Sequence, residues 1–173
     1  CGEEYKGVIY GGFMAVRGGV RLIEYNARFG DPEVMNLLSL LETSLVEITK
    51  AIVNRNIDQL HVRFAPKASV CKYVVPQGYP ESPKKGERIN VSAVDLSKVK
   101  LFYGEVNQTE TGLTLTKSRS VGLVATGNTI AEAEQAVEQE IRKITGSVYH
   151  REDIGTSALI NSRMQMLRNL RHA

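Results

Sequence analysis

YKGVIYGGFMAVRGGVRLIEYNARFGDPE, residues 5–33, is the stretch that decides the fold. Gly7–Val16 is rich in β-branched and aromatic residues and is broken by Gly11-Gly12, which predicts a strand with a bend or bulge. Arg17-Gly18-Gly19 is a turn signal, and Val20–Asn26 reads as the returning strand of a hairpin. Side chains alternate along a strand. On that count Val20, Leu22, Glu24 and Asn26 share one face, and Arg21, Ile23 and Tyr25 the other. The first face starts apolar and ends polar. Asp31-Pro32-Glu33 reads as a helix opening, with Asp31 at the N-cap, Pro32 at the first helical position and an acid in the first turn. The apolar run Val34–Leu41 follows.

Beyond this stretch, Ser44-x-x-Glu47 has the pattern of a capping box and opens a second helix to about Arg55. His61–Ala65 is a boundary, after which the texture turns to β. Short strands are expected at Ala68–Val75, Ile89–Val94, Lys100–Val106, Leu113–Thr116 and Val121–Thr126. Thr129-x-x-Glu132 is another capping box. Ile130, Ala133, Val137, Ile141 and Ile144 then recur at helical spacing, and Gly146 ends the run. Arg151–Gly155 is a polar loop before a terminal helix over about Ser157–Arg171. The fold class expected is α+β. Residues 1–55 form an antiparallel hairpin plus helices that belong to something larger, and residues 62–173 a small mixed α+β domain.

The totals exclude several classes of function. The chain has 173 residues, 42% hydrophobic and 24% charged, as an ordinary soluble globular protein does. Its net charge of +3, with both signs interspersed, gives no nucleic-acid-binding footprint. No apolar run is long enough to span a bilayer, and no basic segment followed by an apolar one marks a signal peptide. Cys1 and Cys71 make neither a disulfide framework nor a metal-ligand spacing, so a reducing cytoplasm is the expected compartment. Starting at Cys1 and entering strand texture at once, the chain has the look of a fragment, a processed chain or half of a split protein.

Glu24 and Asn26, two apart on a strand, project a charged and a neutral oxygen the same way. Mg²⁺ takes oxygen ligands and keeps waters and substrate phosphates beside them. Arg28, just beyond, can hold a phosphate or carboxylate in bidentate fashion. On spacing alone the stronger reading is that these polar residues only serve the turn and the helix start.

The whole string changes the balance. Y-K-G-x-x-Y-G-G-F-M followed by E-x-N-x-R-F-G-D-P-E resembles the final strands of the ATP-grasp domain in the phosphoribosylamine–glycine ligase (glycinamide ribonucleotide synthetase) family. Gly78-Tyr79-Pro80 with Lys85-Gly86, the capped helix from Thr129, and Arg151-x-Asp153-Ile154-Gly155 fall in the same order. The resemblance covers essentially the whole chain, as the C-terminal part of a longer enzyme: the end of an ATP-grasp domain followed by the small α+β C-terminal domain.

The resemblance implies an ATP-dependent ligase of purine biosynthesis. It joins glycine to 5-phosphoribosylamine through a glycyl phosphate and releases ADP and phosphate. It further implies that Glu24 and Asn26 bind Mg²⁺ or Mn²⁺ bridging the phosphates of ATP. Arg28 then holds a phosphate or the glycine carboxylate. Asp31 either meets the substrate amine or caps the helix. The family's glycine-rich N-terminal domain, its phosphate-binding lysines and its adenine pocket are not in this sequence, so the chain is expected to be inactive without that N-terminal part. No membrane or nucleic-acid partner is expected.

Arg151 and Asp153 read as a structural salt bridge rather than a substrate contact. Tyr103-Gly104-Glu105-Val106 and Ser118-Arg119-Ser120 depart from the family's usual loops, although Arg119 keeps a match to the family arginine. His61, His150 and His172 read as surface or packing residues, Cys71 as a core thiol, and Met164, Met166, Leu167 and Leu170 as helix packing. Two competing readings remain. One is a non-catalytic α+β binding or oligomerisation module derived from this fold, which gives no reason for an intact Glu24, Asn26 and Arg28. The other is a different ATP-grasp ligase or carboxylase, against which Phe29–Glu33 speaks.

Overall fold

A computed structural model of the chain describes residue 2 and residues 4–172; Cys1 lies outside the described residues. The fold is α+β; among the described residues all strand pairing is antiparallel and there are four α-helices. The chain clusters into two compact units, one made of residues up to Pro66 together with those from Ile160 on, the other of Lys67–Leu159.

In the first unit, β1 (Tyr10–Val16) and β2 (Gly19–Asn26) form the expected hairpin, closed by a turn at Arg17-Gly18. Gly18 has φ 76°, a left-handed conformation that suits glycine. The register shifts once. Gly12 faces Glu24, but Phe13 faces Leu22, so Ile23 is an extra residue on β2. A bulge of this kind resets the alternation. Partners across an antiparallel ladder point to the same side, so Leu22 and Phe13 lie on the face of Tyr25 and Gly11. The Phe13 and Tyr25 rings accordingly meet edge to face at 5.9 Å. Leu22 therefore does not share a face with Glu24 and Asn26, contrary to the simple period of two. The polar pair lies instead on the face of Tyr10 and Gly12.

Next comes α1 (Glu33–Leu40). Its N-cap is Pro32, one residue later than expected, and proline offers no side-chain cap. The first orphan N–H groups are met by backbone: Val34 N–H donates to Gly30 O at 2.9 Å and Met35 N–H to Pro32 O at 3.0 Å. In α2 (Leu45–Asn54), Ser44 takes the N-cap position, yet its hydroxyl makes no capping bond, so that capping box does not close. Arg55 ends the helix in the left-handed conformation, with φ 61°.

In the second unit, β3 (Ala68–Pro76), β5 (Lys100–Tyr103), β8 (Val121–Gly127) and β10 (Val148–His150) make one sheet in the order β10-β3-β8-β5. β4 (Arg88–Asn90), β6 (Val106–Thr109), β7 (Gly112–Leu115) and β9 (Thr145–Gly146) make another in the order β6-β7-β4-β9. The strand expected over Lys100–Val106 is split between these two sheets. Gly104 is the reason: a side chain there would collide with the Arg119 carbonyl. Its N–H donates to Ser120 O at 2.8 Å, and the Glu105 N–H to Arg119 O at 2.9 Å, as the chain crosses over. The strand expected over Ile89–Val94 stops at Asn90, whose side chain accepts from the Ser92 N–H at 2.9 Å.

The helix α3 (Ile130–Ile141) covers one face of β3 and β8. Half of its capping box forms: Thr129 Oγ1 accepts from the Glu132 N–H at 3.1 Å, while the Glu132 carboxylate accepts at 2.8 Å from the N–H of Asn128, one residue before the N-cap. Ala133, Val137 and Ile141 are buried against Val70, Val74, Val121, Leu123 and Ala125, as the helical spacing requires. Ile130 stays outside, and the helix ends at Ile141 rather than near Gly146, which lies in β9. The terminal helix α4 spans Ser157–His172. Among the described residues no helix is long and apolar enough to cross a membrane.

Candidate functional site

Glu24 and Asn26 stand at the end of β2, opposite Gly12 and Tyr10 respectively. Gly12 leaves room above the strand: the Glu24 Cγ lies 3.5 Å from where a Cβ of residue 12 would be. The ladder thus presents a carboxylate and an amide side by side, Glu24 exposed and Asn26 half-buried. Two hard oxygen donors on one face fit Mg²⁺ or Mn²⁺ and leave the remaining positions to water and phosphate oxygens.

Arg28 and Asp31 follow in the irregular segment before α1, both exposed. Arg28 is folded back, and its Nη1 donates to the Phe29 carbonyl at 2.7 Å. The guanidinium is therefore near the pair along the chain but turned onto its neighbour. This exposed bond would have to break before the guanidinium could reach a ligand.

Two residues on the same face escaped the sequence reading. The Tyr10 hydroxyl donates to Glu33 Oε1 at 2.9 Å. That hydrogen bond holds the phenol above its usual range, and the Glu33 and Glu24 charges add to it. Glu24, Glu33 and Tyr10 thus sense one another. Tyr10 was legible only as a strand residue and Glu33 only as a first-turn acid, because the pairing depends on the register of the hairpin.

The second unit holds a polar centre of its own. Lys72, wholly buried in β3, donates to Glu134 at 2.8 Å, to Glu138 at 2.6 Å and to the Glu152 carbonyl at 2.9 Å. Glu138 also meets Arg142 at 2.6 Å and His150 Nε2 at 3.2 Å. Burial pushes the Glu138 carboxyl up, but the hydrogen bonds from Lys72, Arg142 and His150 outweigh it and hold the group at about 2. His150 is therefore a partner in a network, not the surface or packing residue expected. The visible signal was a lysine two positions from Val70 and from Val74 on a core strand, with glutamates spaced i, i+4 on the helix above it.

The remaining candidates are quickly placed. Arg151 and Asp153 form a bidentate pair at 3.0 and 2.7 Å, which lowers the carboxyl and raises the guanidinium. Arg119 lies over the Tyr73 ring, 5.0 Å from its centre. Cys71 is buried and His61 exposed. Met164, Met166 and Leu167, expected to pack, are 44%, 43% and 40% exposed.

Comparison with known proteins adds three findings. Residues 69–157 match the family model described as "Phosphoribosylglycinamide synthetase, C domain", and residues 1–34 match "Phosphoribosylglycinamide synthetase, ATP-grasp (A) domain". The phosphoribosylamine–glycine ligase of Methanocaldococcus jannaschii is 47% identical over 169 residues, covering 96% of this chain and 38% of the relative. That of Methanobrevibacter smithii is 47% identical over 170 residues, covering 97% of this chain and 38% of the relative. The chain thus spans 38% of the length of these relatives. The crystal structure of phosphoribosylamine–glycine ligase from Thermotoga maritima superposes with a TM-score of 0.70 at 25% identity, covering 84% of this chain and 36% of that one.

Proposed function

The chain belongs to the phosphoribosylglycinamide synthetase family, and on that premise we propose that it supplies the metal-binding end of an ATP-dependent ligase joining glycine to 5-phosphoribosylamine in purine biosynthesis. Residues 1–55 would be the closing end of the ATP-grasp domain and residues 62–173 the small C-terminal domain, with the N-terminal part of the same enzyme as partner. The cytoplasm is the proposed compartment.

A carboxylate is a poor electrophile. In the proposed reaction a glycine carboxylate oxygen attacks the γ-phosphorus of ATP, and the bond to the bridging oxygen breaks, giving glycyl phosphate and ADP. The phosphoribosylamine nitrogen then attacks the glycyl carbonyl carbon, the C–O bond to phosphate breaks, and the nitrogen gives up a proton. Phosphoryl transfer is catalysed mainly by positioning and by cations placed against the moving charge. Glu24 and Asn26 would hold Mg²⁺ or Mn²⁺, which would supply positive charge against the phosphates. Arg28, once released from the Phe29 carbonyl, would hold a phosphate or the glycine carboxylate by its planar fork. Asp31, exposed beside it, would meet the substrate amine.

The observation that carries the reading is the pairing of Glu24 and Asn26 on one face of a fixed hairpin, with Arg28 two residues on. The test is ADP release dependent on glycine and phosphoribosylamine, measured with the chain joined to the remainder of the ligase. Glu24→Ala is expected to lower it by about a hundredfold or more. An unchanged rate, with no Mn²⁺ bound by the parent, would instead favour a structural or interaction module.

A further inference from the structure

The two halves of the candidate site are held by different means. Glu24 and Asn26 sit on a strand whose ladder fixes them. Arg28 and Asp31 sit in an irregular segment with no ladder. The placement of the second half against the first matters, because a misplacement of about 1 Å can cost such a reaction about a hundredfold.

The contact between Tyr10 and Glu33 has the required position. Tyr10 is the ladder partner of Asn26, and Glu33 opens α1. The segment carrying Arg28 and Asp31 runs between Asn26 and Glu33, so the 2.9 Å hydrogen bond closes it into a loop. Gly30 is buried inside the closure. A Cβ at that residue would stand 2.6 Å from Glu33 Oε2 and 2.9 Å from the Tyr10 ring. The Val34 N–H, bonded to Gly30 O at 2.9 Å, ties the same loop to the helix. The acceptor is a carboxylate, which makes the bond one of the stronger kind.

We infer that Tyr10 and Glu33 are positioning residues: their hydrogen bond sets Arg28 and Asp31 relative to Glu24 and Asn26 without touching a reacting atom. This rests on the ligase reading above and assigns that site two further residues. Metal affinity belongs to the strand and is untouched by the clasp. Turnover depends on it.

The experiment uses the chain joined to the remainder of the ligase, with Tyr10→Phe, Glu33→Ala, the double variant and Glu33→Gln. Mn²⁺ affinity is read by electron paramagnetic resonance, kcat by glycine-dependent ADP release, and folding by the thermal midpoint. The expected result is kcat lowered about tenfold or more by either single change, with the double no worse than the singles, because the two residues act through one bond. Mn²⁺ affinity stays at the parent's value in Tyr10→Phe, which leaves every charge in place, and the thermal midpoint falls by no more than the few degrees that about one hydrogen bond accounts for. Glu33→Gln, which keeps an acceptor oxygen for the Tyr10 hydroxyl, regains most of the rate. The inference is overturned if Tyr10→Phe leaves kcat unchanged, if the two losses multiply, if Glu33→Gln is as poor as Glu33→Ala, or if unfolding at the assay temperature accounts for the loss of rate. Mn²⁺ affinity falling with the rate in Tyr10→Phe would make the clasp part of the metal site and overturn it too. Glu24→Ala is the control for the underlying reading. If it leaves Mn²⁺ binding and ADP release intact, that reading fails. If it abolishes both while Tyr10→Phe does nothing, only the positioning role fails.

Discussion

Lys72 Nζ lies 2.6 Å from Glu138 Oε2, and the lysine side chain is 0% exposed. Its second carboxylate, Glu134, sits one helical turn earlier on α3 at 2.8 Å, and the Glu152 carbonyl takes the third proton at 2.9 Å. Every ammonium proton has an acceptor, as a buried charge requires. The arrangement pins strand, helix and the loop after β10 to one atom. Removing that atom takes the ammonium from Glu134 and one of its three side-chain partners from Glu138, both half-buried. Lys72→Met is therefore expected to destabilise the second unit by about 3–5 kcal/mol. Adding Glu134→Gln and Glu138→Gln should recover much of that loss, since no uncompensated charge then remains. Urea unfolding followed by circular dichroism measures both.

Acid should undo the same centre. The Glu138 carboxyl is lowered from 4.5 to about 2 by the balance of its hydrogen bonds over its burial. A carboxyl lowered on folding adds stability above its unfolded value, and the addition is lost as pH falls through the folded one. The stability difference between the parent and Glu138→Gln should accordingly be largest above pH 4.5 and close as pH falls to about 2. A difference that does not change between neutral pH and pH 3 would refute the assignment. Unfolding midpoints in urea across that range are the measurement.

How far the sequence could be read depended on how local each determinant is. The hairpin, the Thr129 cap that starts α3, and the burial of Ala133, Val137 and Ile141 follow from neighbours within four residues, and these appear as expected. Glu24 and Asn26 were legible as a pair because nothing interrupts the strand between them. Their face was misassigned relative to Leu22, because the bulge at Ile23 answers to the opposite strand. The split at Gly104 answers to Arg119, fifteen positions away, and the Lys72 network joins residues more than sixty apart. The split leaves no mark in local periodicity, and the network leaves only a charge out of place on a core strand.

Gly104→Ala tests the crossover between the sheets. The added methyl would meet the Arg119 carbonyl, and backbone on both sides is held by the bonds of residues 104 and 105 to Ser120 and Arg119. Backbone cannot swing aside as a flexible side chain can, so the expected cost is about 1–3 kcal/mol. Gly86→Ala is the matched control: space is open there, and φ of 80° leaves only the strain of the left-handed region, about 1–2 kcal/mol. The inequality Gly104→Ala worse than Gly86→Ala, read from urea midpoints, is the outcome that supports a steric crossover.

Asn26→Asp tests the metal face without any assay of turnover. The change adds a second carboxylate beside Glu24, on the face where Glu33 already lies close to Tyr10. Like charges so placed repel in the absence of a cation, so the thermal midpoint without metal should fall. Cation affinity rises with the charge of the ligands. A cation that binds only the folded state raises the midpoint by mass action. Mn²⁺ should therefore lift the midpoint of Asn26→Asp by more than it lifts the parent's, and should lift that of Glu24→Ala least of all. Equal shifts in all three proteins would place the bound ion elsewhere and remove Glu24 and Asn26 from the candidate site.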